Sequence, residues 1–250
     1  MLIHLLASGS KGNCCIVKCD NTKIVIDCGC TKKYLVNSFN EVNISVDDVD
    51  ALLVTHSHID HIQQIKMFKN TNIYSSVYLD SNNVTILAPF EEIKVNDVTI
   101  TSIPLSHDSG ITMGYVIEYN KQKLVYITDT GYIPNKIKDI ISDADYYIFE
   151  FNHDVEMLMQ TNRPMYIKQR IVNDYGHLCN EDAALVLSEI ISNKTKDIVL
   201  AHISQEANNE EKARNALIKY MSEELLKSVN IQAGKQDKII TIEKIGKNND

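Results

Sequence analysis

The stretch THSHIDH (55–61) sets three histidines and an aspartate within six residues, directly after the apolar run ALLV (51–54). In extended backbone successive side chains alternate sides, so His56 and His58 point the same way; on a helix an i, i+2 pair diverges by about 200°. The pair therefore belongs to a strand end or loop. Asp60 and His61, opening the next apolar-periodic segment, swing to a second point beside the first. Such a loop offers more ligands than a mononuclear site takes from one segment. The plain alternative is a solvated turn rich in imidazole, and partners from elsewhere in the chain decide between the two.

Those partners lie at other strand ends. His107 follows the apolar alternation of 98–104, Asp129 follows 124–127, and His202 follows 198–201. Any one of them alone is more often a hydrogen-bonded surface or core residue. All three follow apolar strands as the cluster does, and strand ends on one edge of a layered fold converge in space.

A chain of 250 residues is expected to fold as one domain over 1–250. Apolar content of 44% and charged content of 23% suit a globular protein and not a disordered one. The net charge of −8 excludes a global basic field for nucleic acid or anionic membrane, so any anion-binding region is local. The start, MLIHLL, lacks a basic n-region and reaches Gly9 before a signal-peptide core forms; no long apolar run follows. A cytoplasmic location without membrane association is expected. Cys14, Cys15, Cys19, Cys28 and Cys30 lack C-x-x-C spacing and read as small buried hydrophobes in a reducing compartment.

Short β-like runs at 2–6, 15–18 and 23–26 read as a meander broken by SGSKGN (8–13) and Asp20-Asn21. A helix is expected over 31–39 with Thr31 as its cap, a buried strand over 51–54 and a helix over 59–68. The second half repeats the alternation, with strands at 98–103, 115–119, 124–127, 146–149, 198–201 and 238–242 and helices at 135–141, 181–191 and 210–226. The tail KIGKNND (244–250) reads as frayed. Two β-rich halves each carrying helices suggest an α/β fold of sheets packed face to face with helices outside.

The pattern T-H-x-H-x-D-H, followed by an isolated His107, TDTG (128–131) and a late AHIS (201–204), resembles the metallo-β-lactamase superfamily, whose fold is a four-layer αββα sandwich. Within it, LASGSKGNC (6–14), EFNHDVEML (150–158) and DYGHLCNEDA (174–183) resemble the YycJ/WalJ-type hydrolases, regarded as nucleases. The likeness spans roughly residues 1–220 by the spread of these motifs. The segment between His61 and His107 reads shorter than in those relatives, which predicts a reduced cover over the site.

The resemblance implies that His56, His58 and His107 hold one divalent cation and Asp60, His61 and His202 another, with Asp129 bridging. Asp27, closing the strand at 23–26, would brace the metal loops, though alone it reads equally as a strand-end turn residue. Mixed histidine and carboxylate ligands suit zinc, manganese or iron. Two dications against Asp60 and Asp129 leave the site about +2, which lowers the pKa of a bridging water towards about 7, gives hydroxide as nucleophile and attracts an anionic ester.

The resemblance also makes Asp60, His177 and Glu150 the catalytic set. His177 would protonate the leaving alkoxide or donate to the phosphate, with Glu150 orienting or charging it; otherwise it is a loop histidine before a helix capped by Asn180. Of only three arginines, Arg163 and Arg170 fall within eight residues with Lys168 between them. They read either as a phosphate-gripping strip or as one solvated helix face. Ser8, Ser10 and Asn13 in the GSKGN turn, with Asn152 and His153 in NHD, are further substrate-contact candidates, each otherwise a tight-turn or helix-start residue.

The leading function class is a dinuclear metal-dependent phosphodiesterase acting on nucleic acid, first DNA, as an exonuclease of 5′ to 3′ polarity by resemblance. The runner-up, a carboxylic-ester or thioester hydrolase of the same fold, has little use for His177 and the arginine strip. A third reading is a metal-binding regulator without turnover, against which seven intact ligand positions speak. Oligomeric state stays open.

Overall fold

The computed structural model describes residues 1–243, so the tail at 244–250 lies outside the described residues. The first sheet contains β1 (Leu2–Ala7), β2 (Cys14–Cys19), β3 (Thr22–Ile26), β4 (Ala51–Val54), β5 (Asn72–Ser75) and β6 (Val84–Ile86), side by side in that order. The second contains β7 (Glu92–Val95), β8 (Val98–Leu105), β9 (Thr112–Tyr119), β10 (Gln122–Ile127), β11 (Tyr146–Glu150), β12 (Asp197–Ala201) and β13 (Asn230–Ala233), again in order. A last strand, β14 (Ile240–Ile242), returns to pair with β1. Each sheet follows one plan: an antiparallel meander (β1–β3, β7–β10) that continues as parallel strands (β3–β6, β10–β13).

The two-residue period of a strand builds the layers. On β10, Leu124 and Tyr126 enter the core between the sheets, while Val125 and Ile127 face outward into the helices. On β2, Cys15 and Val17 face in and Cys14 and Ile16 face out. Helix α1 (Lys32–Glu41) covers the first sheet through Leu35 and Phe39, and α2 (Ile59–Ile62) carries the end of the histidine loop. The second sheet is covered by α3 (Asn135–Ile141) and, beyond α4 (Val155–Gln160) and α5 (Met165–Val172), by α6 (Asn180–Ile190) and α7 (Glu210–Ile218). The result is the αββα sandwich. Among the described residues no helix is long and apolar enough to cross a membrane.

Several expectations change. The helix expected over 59–68 stops at Ile62 and resumes as a 3-10 turn, Ile65–Phe68, because the Gln64 amide donates to the Cys28 carbonyl (2.9 Å) instead of continuing the helix. The helix expected over 210–226 is two: α8 (Glu223–Ser228) starts afresh where Ser222 accepts from the Leu225 amide. Asn180 is not a cap. Cys179 occupies that position, and Asn180, the first residue of the helix, pairs its side-chain amide with that of Asn208 in the loop before α7. Thr31 does cap α1, accepting from Tyr34. The five early cysteines are free and buried.

This plan positions a site. Parallel strands β3 and β4 in one sheet and β10 to β12 in the other send their carboxyl ends to one edge, where crevices form in such folds. The Tyr115 hydroxyl on β9 donates to the Val54 carbonyl (2.7 Å) and the Met113 amide to Thr55 (2.9 Å), tying the strand end before His56 to the opposite sheet.

Candidate metal centre

Asp27, His56, His107, Asp129, Glu150 and His202 all end or follow strands, and all are buried. At three of these ends the backbone turns left-handed: φ is 59° at Asp27, 60° at Asp129 and 53° at His202. Asp, Asn and His tolerate that region better than branched residues.

The loop from the opening motif is held by backbone bonds. The Asn13 amide donates to Asp60 (2.9 Å) and the Cys28 amide to His61 (2.7 Å). Gly29 lies so close that a Cβ there would sit 1.5 Å from the Asp60 carbonyl oxygen. Asp27 then sets the rings: its carboxylate accepts from the Thr55 amide and hydroxyl (2.9 Å each) and from His61 Nδ1 (2.7 Å).

Four imidazoles show the same division of labour. Nδ1 of His61 is taken by Asp27, that of His107 by the Gly176 carbonyl (3.1 Å), that of His202 by Glu150 (2.9 Å), and that of His56 lies 3.1 Å from the Thr55 hydroxyl. At His56, His107 and His202 this leaves Nε2, the arrangement by which outer partners fix the tautomer of a ligating histidine, while Nε2 of His61 is met by the Asn13 side-chain amide at 3.0 Å. His56 Nε2, His202 Nε2 and Asp129 Oδ2 are buried without hydrogen-bond partners. Each such atom costs about 1–3 kcal/mol if left alone, so three on residues of adjoining ligand clusters point to missing partners that accept lone pairs. A divalent cation fits that description, and the donor set fits it too.

Three overlapping groups place a ligand atom of each member within 4.8 Å of the others: His56, His58 and His107; His56, His61 and Asp129; Asp129, Glu150, His177 and His202. The first is the triad expected for one cation. Asp129 joins the other two groups, 3.3 Å from His61 Nε2 and 3.4 Å from His202 Nδ1. Asp60 reaches His61 at 3.6 Å but enters none of these groups, and the His61 and His202 rings stand 6.4 Å apart. Burial holds the His56 pKa far below its usual value, with His61 adding to the fall, so its ring is neutral. Burial would raise Asp129, but the His202 and His61 charges outweigh it and keep the carboxylate ionised.

Glu150 is fully buried. Its Oε1 accepts from both His177 (2.8 Å) and His202 (2.9 Å), and Oε2 from the Thr130 amide (2.9 Å). Burial would raise its pKa, yet His177 and these bonds bring it down to about 2. His177 itself lines a cavity of about 190 Å³ together with Ser10, Asp60, Asp129, Arg163 and Arg170.

Other expected contacts lie elsewhere. Ser8 is buried and accepts from the His202 amide (2.7 Å). Asn13 is buried, with its amide group on Gly9 and 3.0 Å from His61, so of the GSKGN turn only Ser10 faces this cavity. Asn152 donates to the His202 carbonyl (3.1 Å) and lines an adjoining hollow with Arg163 and His177. His153 is buried in a bridge to Cys179, with burial drawing its pKa to about 4, and it reaches neither hollow. Lys168 is also turned in, its ammonium donating to the carbonyls of Met159 (2.6 Å) and Thr161 (2.8 Å), which removes it from the basic strip. Asp108 was not anticipated. It sits 3.6 Å from His107 Nε2 and 3.8 Å from His58 Nε2 and binds Arg170; its position next to His107 was the only signal in the sequence.

Comparison with known proteins gives the same frame. The family model for the Beta-lactamase superfamily domain matches residues 22–203. Exodeoxyribonuclease YycJ of Bacillus anthracis is 36% identical over 233 residues, 88% of this chain and 88% of its own. Exodeoxyribonuclease WalJ of Streptococcus pneumoniae is 33% identical over 235 residues, 88% of this chain and 87% of its own. Among solved structures, the metallo-β-lactamase fold protein YhfI of Bacillus subtilis superposes with a TM-score of 0.71 at 15% identity, covering 96% of this chain and 98% of that one. With the sheet plan, the histidine loop and these full-length relatives in agreement, the chain belongs to the metallo-β-lactamase superfamily, in its YycJ/WalJ-type group.

Proposed function

We propose that this protein is a dinuclear metal-dependent phosphodiesterase of the cytoplasm that works as one domain and degrades DNA from the 5′ end. The observation that carries this is the shared cavity: candidate ligands His58, Asp60, His107, Asp129 and His202 line the same hollow as His177, Arg163 and Arg170. The names of the two relatives at a third identity, both exodeoxyribonucleases, support DNA as substrate.

His56, His58 and His107 would hold one cation, Asp60, His61 and His202 the other, with Asp129 between them; zinc, manganese and iron all suit these donors. Such cations supply a nucleophile from water at neutral pH and offset the charge gathering on a phosphoryl group. The chain's own residues do the rest. Asp27 and Glu150 fix the rings that meet the cations. Glu150 also holds His177 by Nδ1, which leaves Nε2 to give a proton to the departing oxygen. Arg163 and Arg170 are each tethered at Nε, to Glu206 and Asp108, and keep the terminal nitrogens of the fork for phosphate oxygens.

The test compares end-labelled DNA with an acyl thioester after loading with zinc, manganese or iron, alongside elemental analysis. Two cations per chain and release of nucleotides from the 5′ end are expected. Thioester hydrolysis with intact DNA would overturn the assignment.

A further inference from the structure

A second hollow, of about 200 Å³, shares His107 in its lining with the metal cavity. Its lining includes Ser106, Tyr132, Pro134, Lys136 and Tyr175. In a chain of net charge −8 this hollow has no carboxylate in its lining, and Lys136 is its one full charge. Single exposed aromatics are ordinary on a surface. Two facing one hollow beside a phosphodiester site are not scattered, and Tyr132 and Tyr175 are 45% and 63% exposed.

Both rings stand on backbone that the metal centre itself pins. Tyr132 lies three residues after Asp129, and the Thr130 hydroxyl donates to its carbonyl (2.9 Å). Tyr175 precedes Gly176, whose carbonyl accepts from His107. The Gly131 amide donates to Ser106 (2.9 Å), and a Cβ on Gly131 would meet Asp174 at 2.3 Å, so the two tyrosine segments are packed against each other. Among the described residues neither tyrosine hydroxyl makes a hydrogen bond within the protein; the bonds at these residues are made by the backbone. Lys136 is poised at the rim, its ammonium 5.5 Å above the Phe90 ring.

We propose that this hollow is a stacking subsite for a nucleobase of unpaired DNA next to the phosphodiester in the metal cavity, with Tyr132 and Tyr175 against the base and Lys136 on the adjoining phosphate. It rests on the phosphodiesterase reading above and adds what that reading lacks: a grip on the base. Stacking is tolerant of sequence because every base has a π face, which suits an enzyme that processes any end.

The probe is a 5′-labelled oligothymidylate, compared with the same strand carrying an abasic residue at each of the first three positions in turn. Binding is read by fluorescence anisotropy under chelator, and cleavage with metal restored. Tyr175→Ala and Tyr132→Ala should weaken binding of the intact strand about tenfold each, within the range for lost base–aromatic stacking. Tyr175→Phe should behave as wild type, and one abasic position should abolish the difference between wild type and Tyr175→Ala. Equal binding by both alanine variants and wild type would overturn the subsite even where DNA is cut normally. An equal loss on intact and abasic strands would do the same, because it shows a role in shape and not in stacking. Ring-dependent binding without cleavage at any metal loading would retain the subsite and remove the nuclease assignment; absence of both removes both.

Discussion

Replacing Glu150 by glutamine keeps its shape and deletes one charge. The carboxylate accepts from two imidazoles with Oε1 and from the Thr130 amide with Oε2. A carboxamide has only one accepting end. With its oxygen towards the imidazoles, its NH2 group faces the Thr130 amide; turned over, it faces His177 and His202. Either way a buried donor stands against a donor, at a cost of about 1–3 kcal/mol. Each kcal/mol moves the Tm of a chain this size by roughly 2–4 °C, so thermal unfolding of chelator-treated Glu150→Gln should fall by about 2–12 °C. His202 also loses the charged acceptor that fixes its tautomer, and metal affinity, read by competition with a chromogenic chelator, should drop about 10- to 100-fold. With His177 no longer held by a carboxylate, the rate on end-labelled DNA should fall by about 10²- to 10⁴-fold at saturating metal. Wild-type metal affinity together with wild-type rate would show that Glu150 merely fills space between β11 and the loops.

His177→Ala should lower DNA hydrolysis by about 10²- to 10⁴-fold with metal content unchanged by elemental analysis; near wild-type turnover removes the proton-donor role. Gly29→Ala should empty the centre, because its Cβ would displace the Asp60 carbonyl from 1.5 Å, and a wild-type metal count would contradict that. Away from the site, Asp145 accepts from the Lys123 amide (3.0 Å) and pairs with Lys194 and Lys196. Burial opposes the ionised form, but Lys196 and these bonds prevail and hold the pKa below its usual value. A depressed carboxylate stabilises the fold above its unfolded pKa of about 3.9 and loses that contribution as pH falls through the folded value. Asp145→Asn should therefore cost about 1 kcal/mol in urea unfolding at pH 7, discounted for the half-exposed lysines, with the gap closing in acid. A gap that widens in acid would reverse the sign of the assignment.

Much of the site was legible because its chemistry is compact in the chain. The spacing of His56 and His58 and the strand-end positions of His107, Asp129 and His202 follow from local pattern, and the structure brings these residues to one edge. The pairing of Glu150 with His177 needed the resemblance, and the bond from Glu150 to His202 is visible only in three dimensions. Polar residues were the least legible. Ser8, Asn13 and Lys168 look solvent-facing in sequence, yet each is buried on backbone or ring partners that lie far off or around a turn. Strands β5, β6 and β7 escaped notice because their faces are half exposed and their apolar alternation is short. Helix α2 was overextended because a bond to the β3 loop, which no periodicity encodes, diverts the chain at Gln64.

The left-handed turns at Asp27, Asp129 and His202 make chemistry and architecture one choice at those positions. A descendant that no longer needed cations could shed His58, whose extended backbone accepts almost any residue, at little conformational expense. Valine or isoleucine at Asp129 would meanwhile distort the end of a central strand. Decay of such an enzyme into an inert scaffold should therefore begin in the histidine loop and leave the strand-end carboxylates as its last relics.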